Sequence, residues 1–110
     1  MPNLKIFVDD ARLGDIRAPL VAALPGLRDR LCQALAVDPA ISQMAILPVI
    51  GLPDQPALNV ELHLLAAPSR DREALRALAT ELREALAQAT GLSVAVRIAS
   101  FDPAGYVTLK

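Results

Sequence analysis

The chain has 110 residues, of which 54% are hydrophobic and 21% charged, and its formal net charge is −1. A chain of this length and apolar content folds as one globular domain, which excludes intrinsic disorder. Two phenylalanines, one tyrosine and scattered charges of both signs argue against nucleic-acid binding, which needs a basic surface and stacking partners.

The sequence also indicates the cellular location of the protein and the role of its cysteine. No apolar run approaches the roughly 20 residues that span a membrane. Lys5, Asp9 and Asp10 interrupt the N-terminal stretch, so it does not fit a signal peptide. The single cysteine, Cys32, can form no disulfide within the chain and is interpreted as a buried side chain. We therefore expect a cytoplasmic protein with no membrane partner.

The first half of the chain predicts a strand, a helix and a second strand. NLKIFV alternates, with Leu4, Ile6 and Val8 on one face. The polar stretch DDARLGDIRAP predicts a connection, and Pro25 then fits the first turn of a helix. VDPA ends this helix, and ISQMAILPVIG predicts a strand in which Pro48 indicates a sheet edge or a bulge. The helix is predicted from leucines at steps of three, four and four residues: Leu24, Leu27, Leu31 and Leu35.

The second half repeats the pattern. ALNVELHLLAA alternates and places Asn59, Glu61 and His63 on its polar face. Ser69 is predicted to cap the helix RDREALRALATELREALAQAT, and Gly91 to end it. LSVAVRIAS predicts a fourth strand, and DPAG predicts a turn before the terminal YVTLK. This helix again has leucines at steps of three, four and four: Leu75, Leu78, Leu82 and Leu86.

Together these elements predict an α/β (α+β) fold in a single domain, 1–110, built from two β-α-β units at about 1–52 and 56–110. Each crossover makes its two strands parallel, so both helices cover one face of a four-stranded sheet. The other face is left bare, although MAILPVI is apolar at nearly every position. Another subunit is therefore expected to cover it.

The sequence at this point resembles the tautomerase superfamily, which includes 4-oxalocrotonate tautomerase, 5-carboxymethyl-2-hydroxymuconate isomerase and macrophage migration inhibitory factor. The resemblance rests on MP leading directly into an alternating strand, on the doubled β-α-β pattern and on the chain length. It covers nearly the whole chain. It implies a homotrimer from which the initiator methionine is removed, so that the amine of Pro2 is the catalytic group.

The chemistry of a proline amine fits that role. An α-amine has an ordinary pKa of about 7.7 to 8.0, and an apolar pocket lowers it by disfavouring the charged form. A neutral base near physiological pH can then move a proton beside a carbonyl, which is a keto–enol tautomerisation.

Two arginines are candidates for substrate binding. Arg12 follows Pro2 by ten positions, a spacing similar to that of 4-oxalocrotonate tautomerase, where the resemblance implies a contact with a substrate carboxylate. A solvated loop arginine is the other interpretation, and Arg17 in the same stretch could serve instead. Relatives that bind dicarboxylates carry an arginine in the second strand, where this chain has no cation. Arg97 in the fourth strand is a candidate replacement, with an interface salt bridge as its alternative.

Three further residues complete the candidates. Phe101 and Tyr106 are predicted to wall the pocket beside Pro2, or else to pack in the core or an interface. His63 with Glu61 falls short of the three or four ligands of a metal site and is interpreted as a hydrogen-bonded interface histidine. No metal and no cofactor are expected.

The predicted function is a tautomerase or isomerase acting on a small keto-enol or 2-hydroxy-dienoate acid. The alternative is a non-catalytic small-molecule-binding or structural oligomer of ferredoxin-like or tautomerase-like build, because two β-α-β units also describe a ferredoxin-like domain.

Overall fold

The fold was determined as a computed structural model that describes residues 2–109. Strands and helices follow one another as two β-α-β units, and a short 3-10 turn follows α1 and another follows β4. No helix within 2–109 has the length and apolar character needed to cross a membrane. The elements are β1 Asn3–Asp9, α1 Asp10–Leu35, β2 Gln43–Val49, β3 Leu58–Leu65, α2 Arg72–Thr90 and β4 Val94–Phe101, with the 3-10 turns at Pro39–Ile41 and Pro103–Gly105.

The four strands form one mixed sheet in the order β2-β1-β3-β4. β1 is parallel to β2 and β3 is parallel to β4, while the central pair β1 and β3 is antiparallel. The predicted fold is therefore confirmed. The ferredoxin-like alternative is wrong, because a split β-α-β unit has another strand between its two strands, whereas each unit here pairs its own two strands directly.

Both helices pack on one face of the sheet, as predicted. Their leucines meet the inward side chains of all four strands in one apolar core, and burial of each such side chain stabilises the fold by roughly 1.5–3 kcal/mol. Arg30 of α1 and Glu81 of α2 form an ion pair at 3.1 Å, but both side chains are half exposed and the pair adds little. Side chains with almost no exposure include Leu4, Ile6, Leu20, Leu27, Leu31, Leu62, Leu82 and Leu86.

The opposite face of the sheet, here called the open face, carries no helix. Its central strands present Lys5, Phe7, Asn59, Glu61 and His63, all of them half-buried. The flanking strands add Ala45, Leu47, Ala95, Arg97, Ala99 and Phe101. The open face thus mixes apolar and polar groups, and a second layer is absent from it among the described residues.

One sequence interpretation is wrong: DDARLGDIRAP is the beginning of α1 and forms no loop. Asp9 caps the helix, because its side-chain oxygen accepts a hydrogen bond from the N–H of Ala11 at 3.0 Å. Ile16 and Leu20 are buried and continue the leucine stripe backwards by steps of four. Arg12 therefore lies in the first turn of a helix.

The prediction that Pro25 lies in the first turn of the helix is also wrong, because both Pro19 and Pro25 lie inside α1. A proline ring clashes with the carbonyl four residues earlier and leaves it without a helical partner. Here those carbonyls belong to Asp15 and Val21, on residues that are exposed to water. Both carbonyls therefore lie on the solvent side of α1, where water can take the role of the missing N–H and reduce the cost of each proline.

The cap predicted for α2 is wrong as well, because Asp71 takes the role assigned to Ser69. Its side-chain oxygen accepts from the N–H of Ala74 at 2.8 Å, and the helix ends at Gly91 with a φ of 71°. The prediction for Pro48 is confirmed, since β2 is an edge strand. Gln43 donates its N–H to the carbonyl oxygen of Pro2, on the β1 side of β2. By alternation Pro48 faces outward, where a missing N–H costs no ladder bond.

Candidate functional site

Pro2 lies at the end of the sheet where β1 and β2 begin. It is buried, and its carbonyl oxygen accepts a hydrogen bond from the N–H of Gln43 at 3.0 Å. This bond fixes the start of β1 against the start of β2. Met1, whose removal the tautomerase resemblance implies, lies outside the described residues.

A cavity of about 660 Å³ lies between the first residues of β1 and β2 and the middle of α1, and Pro2 is not among the residues that line it. Asn3, which follows Pro2, and Gln43, which is bonded to it, both line this cavity. Two cationic side chains, Lys5 and Arg28, line it as well. The rest of the lining is Leu24, Pro25, Ser42, Met44 and Ala45, so the cavity has both apolar and polar walls.

Arg12 stands at the opposite end of β1 from Pro2. Seven strand residues separate the two ends, and a rise of about 3.3 Å per residue puts them about 20 Å apart. Arg12 is exposed. Within one chain the structure therefore does not bring Arg12 to Pro2.

Arg97 lies in the middle of β4 on the open face. Its Nη1 donates a hydrogen bond to Oδ1 of Asn59, and Glu61 is its register partner on β3. The guanidinium is thus held by the neighbouring strand, four residues from the end of β4 that is nearest to Pro2.

Phe101 and Tyr106 are brought together at the end of the sheet that also contains Pro2. Their rings stack with centroids 5.2 Å apart, and His63 meets Phe101 edge-on at 5.1 Å. His63 pairs with Asn3 across β1 and β3, which places this aromatic cluster two strand spacings, about 10 Å, from β1. No three His, Cys, Asp or Glu residues within 2–109 are grouped closely enough to hold a metal ion.

Comparison with known proteins bears on the fold. No protein-family model matches the sequence, and no curated protein gives a significant match. Solved structures do match: a fused 4-oxalocrotonate tautomerase described as a wild-type asymmetric trimer aligns with a TM-score of 0.74 at 16% identity, over 96% of this chain and 91% of that one. The macrophage migration inhibitory factor of Toxoplasma gondii aligns with a TM-score of 0.68 at 12% identity, over 96% and 95%. The chain has the tautomerase-superfamily fold. A domain of unknown function, DUF1904, from Sebaldella termitidis shares it, with a TM-score of 0.72 at 17% identity over 98% and 95% of the two chains.

In this tautomerase fold, Lys5 and Arg28 are candidate site residues that the sequence interpretation missed. Lys5 was considered only as a charge that argues against a signal peptide, and Arg28 resembles any charged residue on the solvent side of a helix. Their common cavity depends on β2 lying beside α1. That contact joins parts of the chain that are distant in sequence, so no local sequence pattern predicts it.

Proposed function

We propose that this protein is a tautomerase that moves a proton within a small keto acid, with the amine of Pro2 as general base after removal of Met1. The observation that supports the proposal is the burial of Pro2 at the start of β1, next to Asn3 and Gln43, which line a cavity together with two cations. Proline at this position has little other use, since it can neither donate to a ladder nor cap a helix.

Burial supplies the chemistry that the reaction needs. An amine removed from water loses solvation of its charged form, which lowers its pKa below the ordinary 7.7 to 8.0 or so. The neutral amine accepts a proton from the carbon or oxygen beside the carbonyl and returns it at the other end of the enol system. The two steps leave the enzyme unchanged.

Assembly as a cytoplasmic homotrimer belongs to the same proposal. Three structures with this fold are fused 4-oxalocrotonate tautomerases described as trimers. Because Arg12 lies about 20 Å from Pro2 of its own chain, we propose that it binds substrate carboxylate at Pro2 of a neighbouring copy. Arg97 is proposed to approach a neighbour's site in the same way, and the pair Phe101 and Tyr106 to wall it.

Three forms of the protein test the proposal: the chain without Met1, the same chain with one extra residue before Pro2, and Pro2→Ala without Met1. Intact mass establishes each N-terminus. Enol-to-keto conversion of phenylpyruvate should be fast in the first form, reduced in Pro2→Ala and absent in the extended form, whose Pro2 nitrogen is an amide. Activity that survives the extension assigns proton transfer to another group. Activity absent from all three forms favours the alternative of a non-catalytic binding or structural oligomer.

A further inference from the structure

We infer that the groove between α2 and the outer edge of β4 binds an extended acidic segment of a partner protein, which adds to the sheet as a fifth strand. Two adjoining cavities of about 350 and 240 Å³ form this groove. It lies on the helix-covered side of the sheet, opposite the open face and two strands away from β1. The inference goes beyond the proposed function and does not depend on Pro2.

The outer edge of β4 carries backbone groups that a further strand can pair with. β4 pairs with β3 on one side, and no described strand pairs with its other side. The carbonyls of Ser93 and Phe101 accept hydrogen bonds from N–H groups at the two ends of β3. Alternation between these two residues directs the N–H and C=O groups of Val96 and Ile98 outward. The side chains of Val96 and Ile98 line the groove, so the groove and the unpaired backbone lie side by side.

The two edges of the sheet differ in how they resist strand pairing. On β2, Pro48 faces outward and offers no N–H, which is a common protection of an edge strand. β4 contains no proline. Its one charged side chain, Arg97, donates to Asn59 of β3 and is held over the sheet instead of the outer edge. The edge of β4 is therefore the one that favours an added strand.

The charges that line the groove are all positive. Arg72, Arg76 and Arg83 of α2 are exposed there, and no acidic residue is part of the lining. Within residues 2–109 the one ion pair joins Arg30 and Glu81, so no described carboxylate neutralises the three arginines. The net charge of the whole chain is −1, so this positive charge is local. A local concentration of cations favours an acidic partner.

The spacing of the arginines fits a strand. The cavity that Arg72 lines contains Ile98, and the cavity that Arg83 lines contains Val96, so α2 and β4 run alongside each other. Arg72 and Arg76 are about 6 Å apart along the helix axis. Alternate residues of a strand point to one face and are about 6.6 Å apart. Carboxylates at every second position of an added strand can therefore form charge-assisted hydrogen bonds with successive arginines.

A second copy of the chain is the poorer occupant. Pairing of two β4 edges would place the arginines of one α2 beside those of the other. The edge of β2 is flanked by Arg28 and interrupted by Pro48, so its pairing with β4 would also bring cations together. Like charges placed together disfavour an interface. The terminal stretch 106–109 contains no acidic residue. Charge thus favours an acidic segment of another protein.

A short peptide with glutamate at every second position and threonine between them tests the groove. Its binding to the full chain is followed by fluorescence anisotropy, with glutamine in place of glutamate as the uncharged comparison. We expect Arg72→Gln and Arg76→Gln each to weaken binding of the glutamate peptide about tenfold, and added salt to weaken it in the unaltered protein. The glutamine peptide should bind more weakly and without preference among the variants. Arg28→Gln, which removes an exposed charge beside the β2 edge, is the matched control and should change neither affinity.

Amide hydrogen exchange locates the added strand. In the unaltered protein, the N–H groups of Val96 and Ile98 should exchange rapidly without peptide and at least about tenfold more slowly with the glutamate peptide bound. Gln43 directs its N–H inward, so Met44 and Ile46 direct theirs to the outer edge of β2. Their exchange should not change.

Contrary results are distinct. Affinity that is unchanged in both arginine variants, or equally reduced in Arg28→Gln, overturns the inference, as does absence of binding at millimolar peptide. Binding without added protection at Val96 and Ile98 overturns strand addition. Protection of these two N–H groups before any peptide is added assigns the edge to another copy and overturns the inference as well. None of these results bears on proton transfer by Pro2, which the three N-terminal forms test separately.

Discussion

Arg12 occupies a position that helix stability does not explain. Cations are unfavourable in the first turn, where the helix dipole is positive, and Arg12 is exposed there beside the capping Asp9 and the acidic Asp10. Its ion pairs at such a surface would contribute little. The proposed contact with a substrate carboxylate would account for this side chain.

Arg12→Ala should raise KM for a keto acid about tenfold and leave kcat within about twofold, because the lost contact is present in both ground and transition states. The free energy of unfolding should change by less than about 0.5 kcal/mol. Steady-state kinetics and a urea titration measure the two effects. Arg17→Ala, exposed on the same helix, is the control. A KM increase in that variant alone assigns the carboxylate contact to Arg17.

The interior of α1 shows how tertiary contacts override local propensity. Pro19 lowers the stability of its own turn, yet the helix persists because Ile16 and Leu20 bury their side chains against the sheet. Pro19→Ala should therefore raise the free energy of unfolding by roughly 1–2 kcal/mol, since the regained helical bond outweighs the greater entropy of the unfolded chain. Urea titration at one protein concentration measures this increase in the free energy of unfolding. Ala18→Gly is the comparison, and we expect it to lower the free energy of unfolding by about 1 kcal/mol. A lower free energy of unfolding in Pro19→Ala than in the unaltered protein contradicts this account.

The cap of α2 offers a paired test. Asp71→Ala should lower the free energy of unfolding by about 1 kcal/mol, because the N–H of Ala74 loses its acceptor. Ser69→Ala should change it by less than about 0.5 kcal/mol. Equal losses in the two variants would show that Ser69 shares the cap.

The elements differ in how far sequence alone predicts them. Strand alternation and the leucine steps were sufficient to predict the sheet, both helices and the side chains that face the core. Each of these patterns is local in the sequence. The start of α1 was missed because Gly14, Pro19 and Pro25 lower helix propensity there, although Ile16 and Leu20 continue the leucine spacing. Pro2 was proposed as a site residue from its position in the sequence. The convergence of Lys5 and Arg28 was not predicted, because it depends on packing between separate elements.

At the scale of the whole molecule, a single copy leaves several large apolar side chains uncovered. Phe7, Leu47 and Phe101 are only half-buried on the open face, and Ile50 and Leu109 are 96% and 91% exposed. Large apolar side chains on a sheet face that carries no second layer favour an interface. A second copy that covers the open face would complete the layer that the two helices supply on the other side.

Light scattering should therefore give about three times the 11.7 kDa mass of the chain. Leu47→Asp, which places a charge on the open face, should dissociate the assembly, whereas Ala77→Asp on the exposed side of α2 should not. A stable monomer of the unaltered protein at micromolar concentration contradicts the proposed homotrimer.

Mixed assemblies test whether Arg12 acts across copies. Arg12→Ala chains have an intact Pro2, and chains extended before Pro2 have an intact Arg12. If the two groups meet between copies, co-expression should produce some complete sites and more activity than the sum of the two parents. Activity equal to that sum would place Arg12 outside the site.

The titration of Pro2 itself tests the central claim most directly. The nitrogen shift of labelled Pro2 in the methionine-free protein is followed by NMR against pH, beside kcat/KM for phenylpyruvate. A base must be neutral to accept a proton, so kcat/KM should rise with pH through the same midpoint at which Pro2 titrates, and burial should place that midpoint below about 7.7. A midpoint in the ordinary range, or a kcat/KM profile that does not follow it, would contradict Pro2 as the catalytic base.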